Sequence, residues 1–382
     1  MIKNMPARQQ AGRIVYLITD LDIGGAENSL YQLVTHLDRK KFSPMVYSLS
    51  REGKIAQKLR DKGIEVICLG AKNKFDIRVF FKLIKLLKKQ KPNILHTYLF
   101  HANFIGRIAG RIAGVPIIIS SVRVAEKEKK YHLYLDMITQ WMVNKEICVS
   151  KEVEKFMVKK AKISPYKLVT IYNGINPLDF DLFNDEQKDK KRKELSVSQF
   201  EPIIGTIARL SKQKGVKYLL KAFRLVLNDF PKSCLLVVGS GPEEKKLREL
   251  ALRLNIANSV KFWGFREDAT GIINIMDVFV LPSLWEGMPN AVLEAYVLGK
   301  PVIASKVDGV KEIIKDGKTG FLVSTRDKKS LSNSIKSLLK NRQLQKEFGR
   351  KGKEFVIQNF PLDRMVQDTE NLYSELINQK LQ

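Results

Sequence analysis

The sequence predicts an α/β protein made of two doubly wound domains, one after the other. Three observations carry this. Short apolar runs of strand length alternate with helix-spaced stretches along the whole chain, the runs are apolar on both faces, and the rhythm breaks once near the middle before restarting. Strands apolar on both faces belong to a parallel sheet covered by helices. A restart means a second sheet of the same kind. A chain of 382 residues, 44% of them hydrophobic, is long and apolar enough for two real cores.

The first series of strands reads Arg13–Thr19, Met45–Leu49, Glu65–Leu69, Ile94–Tyr98, Val115–Ser120, Glu146–Ser150 and Leu168–Tyr172. Between the first two, Leu30, Leu33, Val34 and Leu37 recur at helical spacing. Asn173-Gly-Ile-Asn-Pro is turn chemistry, and the charged run Asp185 to Glu194 follows it. The linker is therefore expected at 181–200, after a first domain over 1–180. The second series reads Ile203–Ala208, Cys234–Val238, Val260–Phe262, Val278–Leu281, Pro301–Ala304 and Gly320–Val323, giving a second domain over 201–362. Doubly wound sheets bind ligands at the carboxyl ends of their strands, so the cleft between the domains is the expected site.

Composition narrows the classes. No run reaches the ~18 apolar residues of a membrane span. The polar start Met1–Gly12 leads only into the short apolar run Ile14–Ile18, too short for a signal-peptide core. A cytoplasmic protein is expected. Cys68, Cys148 and Cys234 all lie in β-like runs and read as buried, reduced thiols. The net charge of +27 is divided as +17 over residues 1–180 and +10 over the rest. Such a field favours an anionic partner. Residues 76–91 read as an amphipathic helix, with Ile77, Phe80, Phe81, Ile84 and Leu87 on a core stripe and Arg78, Lys82, Lys85 and Lys89 on a basic face.

Four loops carry candidate chemistry. Gly24-Gly25 follows the first strand and opens a helix, where backbone N–H groups face an anion. Arg209 and Lys214 follow the first strand of the second domain, placed to neutralise a diphosphate. Gly239-Ser-Gly241-Pro242 is a strand-to-helix turn with room for a base or ribose. Leu281-Pro-Ser-Leu-Trp-Glu286-Gly287-Met-Pro-Asn290-Ala291-Val-Leu-Glu294 ends a buried strand and opens a helix. It offers two carboxylates to vicinal hydroxyls and the N–H groups around Ala291 to a phosphate. His96 and His101 bracket the end of strand Ile94–Tyr98, one of them expected to face the cleft. Two Asp-x-Asp pairs, Asp20/Asp22 and Asp179/Asp181, are of a kind that can hold a divalent metal.

In this order, Gly24-Gly25-Ala-Glu, His96-Thr-Tyr-Leu-Phe-His101-Ala, Tyr172-Asn-Gly-Ile, Arg209 with Lys214, Gly239-Ser-Gly-Pro, and Glu286 and Glu294 eight apart span nearly the whole chain. The chain resembles the retaining glycosyltransferases of family 4 (group 1). The resemblance implies the two facing Rossmann-like domains of the GT-B type, and a final helix, 363–382, that crosses back to the first domain. It implies transfer of a hexose-type sugar from a UDP- or GDP-linked donor to a lipid-linked or polysaccharide acceptor. Arg209 and Lys214 match the residues that hold the diphosphate. Glu294 matches the ribose carboxylate, Glu286 the one on the donor sugar, and His101 a histidine near the anomeric centre. Gly25 matches the loop near diphosphate and acceptor. This class normally uses Arg, Lys and a helix N-terminus in place of a metal, so no metal and no cofactor are expected.

Retention is open to a covalent intermediate or to same-face attack, the resemblance favouring the second. A sugar-nucleotide epimerase or hydrolase shares the architecture. A nucleic-acid binder would suit the charge, but no stacking-aromatic motif or recognised module is present, so no specific nucleic-acid partner is expected. An acceptor in a membrane would add peripheral attachment at its inner face, through the basic face of 76–91.

Overall fold

In a computed structural model that describes residues 12–73 and 76–381, the chain forms two compact units. The polar start Met1–Ala11 lies outside the described residues. The first unit holds the described residues through Tyr172 together with the segment from Leu362 onward. The second holds Asn173–Pro361.

In chain order the first unit contains β1 (Gly12–Ile18), α1 (Gly25–His36), β2 (Phe42–Ser48), α2 (Lys54–Asp61), β3 (Glu65–Cys68), α3 (Ile77–Gln90), β4 (Ile94–Tyr98) and α4 (Phe100–Ala113). It continues through β5 (Ile117–Val122), α5 (Lys130–Thr139), β6 (Lys145–Cys148), α6 (Lys151–Lys160) and β7 (Leu168–Thr170). The second unit begins with α7 (Asp185–Glu194), β8 (Ile203–Ile207), α8 (Val216–Val226), β9 (Cys234–Val238), α9 (Glu244–Arg253), β10 (Val260–Phe262), α10 (Ala269–Asn274) and β11 (Val278–Leu281). It ends with α11 (Asn290–Val297), β12 (Val302–Ser305), α12 (Val310–Ile313), β13 (Gly320–Val323), α13 (Lys328–Lys340) and α14 (Arg342–Asn359). The last helix, α15 (Leu362–Leu381), returns to the first unit.

Every expected strand is present, its ends shifted by at most three residues. Both sheets are wholly parallel, in the orders β3-β2-β1-β4-β5-β6-β7 and β10-β9-β8-β11-β12-β13. This is the doubly wound pattern in both units, with strand order reversing between β1 and β4 and between β8 and β11. Ile14 to Ile18 have no exposed surface at all, since helices cover both faces of the sheet. Alternate residues feed two cores. Tyr16, Ile18, Ile94 and Tyr98 pack with α1, α2 and α15, while Val15, Leu17 and Leu95 pack with α3 and α4.

Three expectations differ from the structure. The stretch 181–200, expected as the linker between domains over 1–180 and 201–362, falls inside the second unit, which begins at Asn173. Asn184 caps α7 with a capping box, and α7 is tied into the second unit. Lys191 reaches Asp268 at 2.9 Å, and Arg266 bonds Glu194. A charged run without apolar periodicity looks like solvated coil, but here its charges are answered from residues some seventy positions away. On α3 the buried stripe is Val79, Leu83 and Leu87, while Ile77 and Phe81 are exposed. The helix has apolar residues over more than half its circumference, so spacing alone cannot choose the face that packs. Cys148 and Cys234 are buried, but Cys68 is only half-buried, beside Arg60. Burial raises all three thiols, Cys234 to about 12, so none is a ready thiolate.

Candidate functional site

In the second unit the charged motifs leave the two strands that flank the reversal of order. After β8, a single 3-10 turn, Lys212–Lys214, ends at Gly215 in the left-handed region (φ 62°). A Cβ at Gly215 would stand 2.1 Å from the Pro282 carbonyl oxygen, so only glycine lets the two loops meet. The loops are also sewn together. Leu284 N–H donates to the Gln213 carbonyl at 2.7 Å, and the Gln213 side chain donates to the Trp285 carbonyl at 2.9 Å. That seam sets Lys214 on Glu286, Nζ to Oε1 at 2.6 Å. Buried Ser283 donates its hydroxyl to the same Oε1 at 2.6 Å. Oε2 of Glu286 makes no hydrogen bond with any described residue, so a buried carboxylate is held with one oxygen to spare.

Arg209 does not join this pair. It is exposed, and its guanidinium has no hydrogen bond or ion pair among the described residues. Glu294, one turn into α11, is half-buried and likewise makes no such bond; desolvation alone pushes its carboxyl up to about 7. Asn290 and Ala291 form the first turn of α11, whose N-cap Pro289 supplies no side-chain cap, and Gly287 is buried in the loop before it. The Asn290 amide oxygen accepts from Asn173 at 2.7 Å, and Asn173 also donates to the Met288 carbonyl at 3.1 Å. Gly239 and Gly241 are needed by the fold itself. A Cβ would meet the Ala208 carbonyl oxygen at 2.0 Å and that of Leu210 at 2.4 Å. These glycines seat the β9 loop on the backbone that leads to Arg209.

In the first unit the two histidines separate. His96 is fully buried, Nδ1 at 2.6 Å from the Tyr373 hydroxyl and Nε2 at 2.9 Å from the Ser121 hydroxyl. Burial pulls it down to about 3, so the ring is neutral and structural. His101 is half-buried in the first turn of α4, in a ring cluster with Phe100 (5.5 Å) and His132 (5.9 Å). The turn leaves β4 through Leu99 with φ 71°, a conformation that side chains adopt only under constraint. Gly25, exposed, begins α1, and a Cβ at Gly24 would strike the Glu27 carboxylate. Of the Asp-x-Asp pairs, Asp20 accepts from Asp22 N–H and Asp179 from the Asn176 side chain, both local turn bonds. No group of three or more His, Cys, Asp or Glu able to hold a metal occurs among the described residues.

Two family profiles match the chain, and they divide it as the fold does. Glycosyltransferase Family 4 covers residues 23–177, and Glycosyl transferases group 1 covers residues 187–355. The chain belongs to the family 4, group 1 glycosyltransferases. The glycosyltransferase is 29% identical over 317 residues to the UDP-Gal:alpha-D-GlcNAc-diphosphoundecaprenol alpha-1,3-galactosyltransferase of Escherichia coli, covering 80% of this chain and 81% of that one. It is 28% identical over 315 residues to the capsular polysaccharide biosynthesis glycosyltransferase CapM of Staphylococcus aureus, covering 80% and 82%. Among solved structures, Anabaena HepE in complex with UDP-glucose superposes with a TM-score of 0.86 at 23% identity, covering 95% of this chain and 99% of that one. The enzyme thus has the two-domain GT-B fold.

Sequence reasoning missed three residues that build the glycosyltransferase's charged site. Ser283 stands next to a motif already singled out, and a hydroxyl immediately after a buried strand was a usable signal. Asn173 lies in the Tyr172-Asn-Gly-Ile mark, but its partners are more than a hundred positions away. Asp308, which accepts the Glu286 N–H at 3.3 Å, gave no signal at all.

Proposed function

We propose that this glycosyltransferase moves a hexose-type sugar, with retention, from a nucleoside-diphosphate sugar to a lipid-linked acceptor in the assembly of a cell-surface glycan. The observation that carries the reading is the charge arrangement beside β8 and β11. A Lys214–Glu286 pair with a spare carboxylate oxygen lies in the same unit as two side chains without a partner among the described residues, the Arg209 guanidinium and the Glu294 carboxyl. Arg209, Lys214 and the first turn of α11 at Asn290 and Ala291 neutralise the diphosphate as charge builds on it. Glu294 accepts from the ribose hydroxyls, and Glu286 Oε2 from the hydroxyls of the donor sugar. The family resemblance supports a place for His101 near the anomeric carbon and for Gly25 near diphosphate and acceptor. The acceptor attacks on the face the phosphate leaves, and the departing phosphate oxygen takes its proton. No metal is needed, since protein cations and helix N–H groups balance the phosphates.

Two similar proteins support the donor and acceptor classes, one a UDP-galactose enzyme acting on a diphosphoundecaprenol-linked sugar, the other HepE with UDP-glucose. UDP is accordingly the expected nucleotide. An acceptor held in a bilayer brings the enzyme to its surface, and no described helix is long and apolar enough to cross one. The basic face of α3, with Lys82, Lys85 and Lys89, supplies attraction to anionic headgroups at about 1 kcal/mol per charge.

The test is turnover of UDP- and GDP-sugars with a short-chain diphosphoprenyl-sugar acceptor, the product's anomeric configuration read by NMR. Retention, undiminished by EDTA, is expected. An inverted product overturns the retaining mechanism. Donor cleavage at the same rate without acceptor moves the reading to a hydrolase.

A further inference from the structure

The helix α5 and the 3-10 turn Gln140–Met142 that follows it carry an apolar stripe that the described residues leave largely exposed. Tyr131, Tyr134, Ile138 and Trp141 are 55%, 59%, 43% and 64% exposed. Their spacing of three, four and three residues puts them on one side of the helix. The opposite side is locked in place. His132 and Thr139 are buried, and Arg107 holds both the Thr139 hydroxyl (2.8 Å) and the Asp136 carboxylate (3.0 Å). The rings therefore point outward from a fixed helix. Loops of excess positive charge flank them. Lys129 and Lys130 are exposed at the N-terminal end, and at the other end exposed Lys162 is joined to the stripe through Gln140, whose amide donates to the Lys162 carbonyl at 3.3 Å.

We propose that this stripe is a docking surface for an anionic bilayer, its rings entering the interfacial layer and the lysines resting on the headgroups. Two tyrosines, a tryptophan and one isoleucine between lysines make the amphipathic belt that settles at headgroup depth. A second copy of the chain fits poorly. In a twofold contact the stripe meets itself, and both its ends carry net positive charge, Lys127, Lys129 and Lys130 outnumbering Glu126 and Glu128 at one end and Lys162 standing at the other. The stripe also runs into the ring cluster of His101. Tyr131 lies edge-on to Phe100 at 6.3 Å, and Phe100 lies edge-on to His101 at 5.5 Å. The inference rests on the lipid-linked-acceptor reading for its purpose: a chain seated on this face holds its acceptor beside His101.

Vesicle binding without any acceptor tests the surface separately from that reading. The intact chain should float with vesicles of equal parts phosphatidylcholine and phosphatidylglycerol, and its tryptophan emission should shift blue and be quenched by brominated lipid. Trp141→Phe should remove the shift and the quenching, leaving Trp263 and Trp285 unaffected. Tyr134→Ser/Ile138→Ser/Trp141→Ser should weaken flotation about tenfold or more, with UDP affinity unchanged. Flotation of the triple variant equal to the parent's overturns the proposal. So does a parent that dimerises through the stripe in sedimentation and ignores vesicles. Turnover on a short-chain, water-soluble diphosphoprenyl acceptor reports the acceptor class alone: activity there with no vesicle binding keeps the acceptor and discards the surface, and the reverse discards the acceptor.

Discussion

Where strand order reverses, the two sheets carry different chemistry. Between β1 and β4, Tyr16 and His96 are paired neighbours, and both hydrogen-bond Tyr373 of α15, at 2.9 and 2.6 Å. These three side chains are neutral and answer one another within the unit. Nearby, buried Arg107 is likewise answered by Glu146 (3.1 Å), Asp136, Thr139 and Ser120. Between β8 and β11, by contrast, Lys214 and Glu286 are charged, and Arg209 and Glu294 have no partner among the described residues. A polar group answered inside the fold adds stability. One left unanswered at a strand's carboxyl end is available to a ligand. The comparison assigns scaffold duty to the first network and binding duty to the second, and each assignment can be broken.

The largest effect should come from Arg107→Met. It leaves Glu146 and Asp136 buried without a counter-charge, at a cost of about 3–5 kcal/mol in urea unfolding. Burial already raises the Glu146 carboxyl to about 7 and raises Asp136, with Arg107 opposing both. Removing Arg107 raises their folded values further above the unfolded ones. The stability they carry is present at low pH and lost as pH rises, so the deficit should be larger at pH 8 than at pH 5. A deficit that does not change with pH would show that Arg107 acts only through packing.

Arg209→Ala should weaken UDP binding by about 1.5–3 kcal/mol in calorimetry while leaving unfolding unchanged. Lys214→Ala should lose comparable affinity and also stability, because it strands the Glu286 carboxylate. UDP affinity unaltered in both variants would remove the donor site from β8.

Glu294→Gln separates the two duties in one residue. Its folded carboxyl is pushed up to about 7 by desolvation alone, so the ionised form costs stability as pH rises from 4.5 through 7. The variant should be more stable than the parent at pH 8, by up to about 3 kcal/mol, and equal to it at pH 4. It should nevertheless bind UDP about tenfold more weakly, since paired acceptance from the ribose is lost. Stability and affinity moving in the same direction would contradict a binding role.

The smallest effect on function belongs to Tyr373→Phe, which strands the buried Tyr16 hydroxyl and His96 Nδ1 at about 1–3 kcal/mol in unfolding, with UDP affinity and turnover unchanged. A drop in turnover would draw His96 back into the active machinery.

How much was legible before the fold is visible in these residues. The alternation of apolar runs and helical spacing was sufficient for both sheets, because a strand buried on two faces has few other homes. The glycine turns and the carboxylates Glu286 and Glu294 were legible because a strand, a loop and a helix start follow one another within a few residues. The choice between His96 and His101 was not, since it depends on which face of β4 meets Tyr373, 277 positions later. Nor was the α3 face, the seating of α7 against Asp268, or the grip of Lys214 and Ser283 on one oxygen of Glu286. Short-range order determines which elements form and where their loops fall. Which charge meets which is decided by contacts between segments far apart in the chain, where burial sets the cost of leaving a group unanswered.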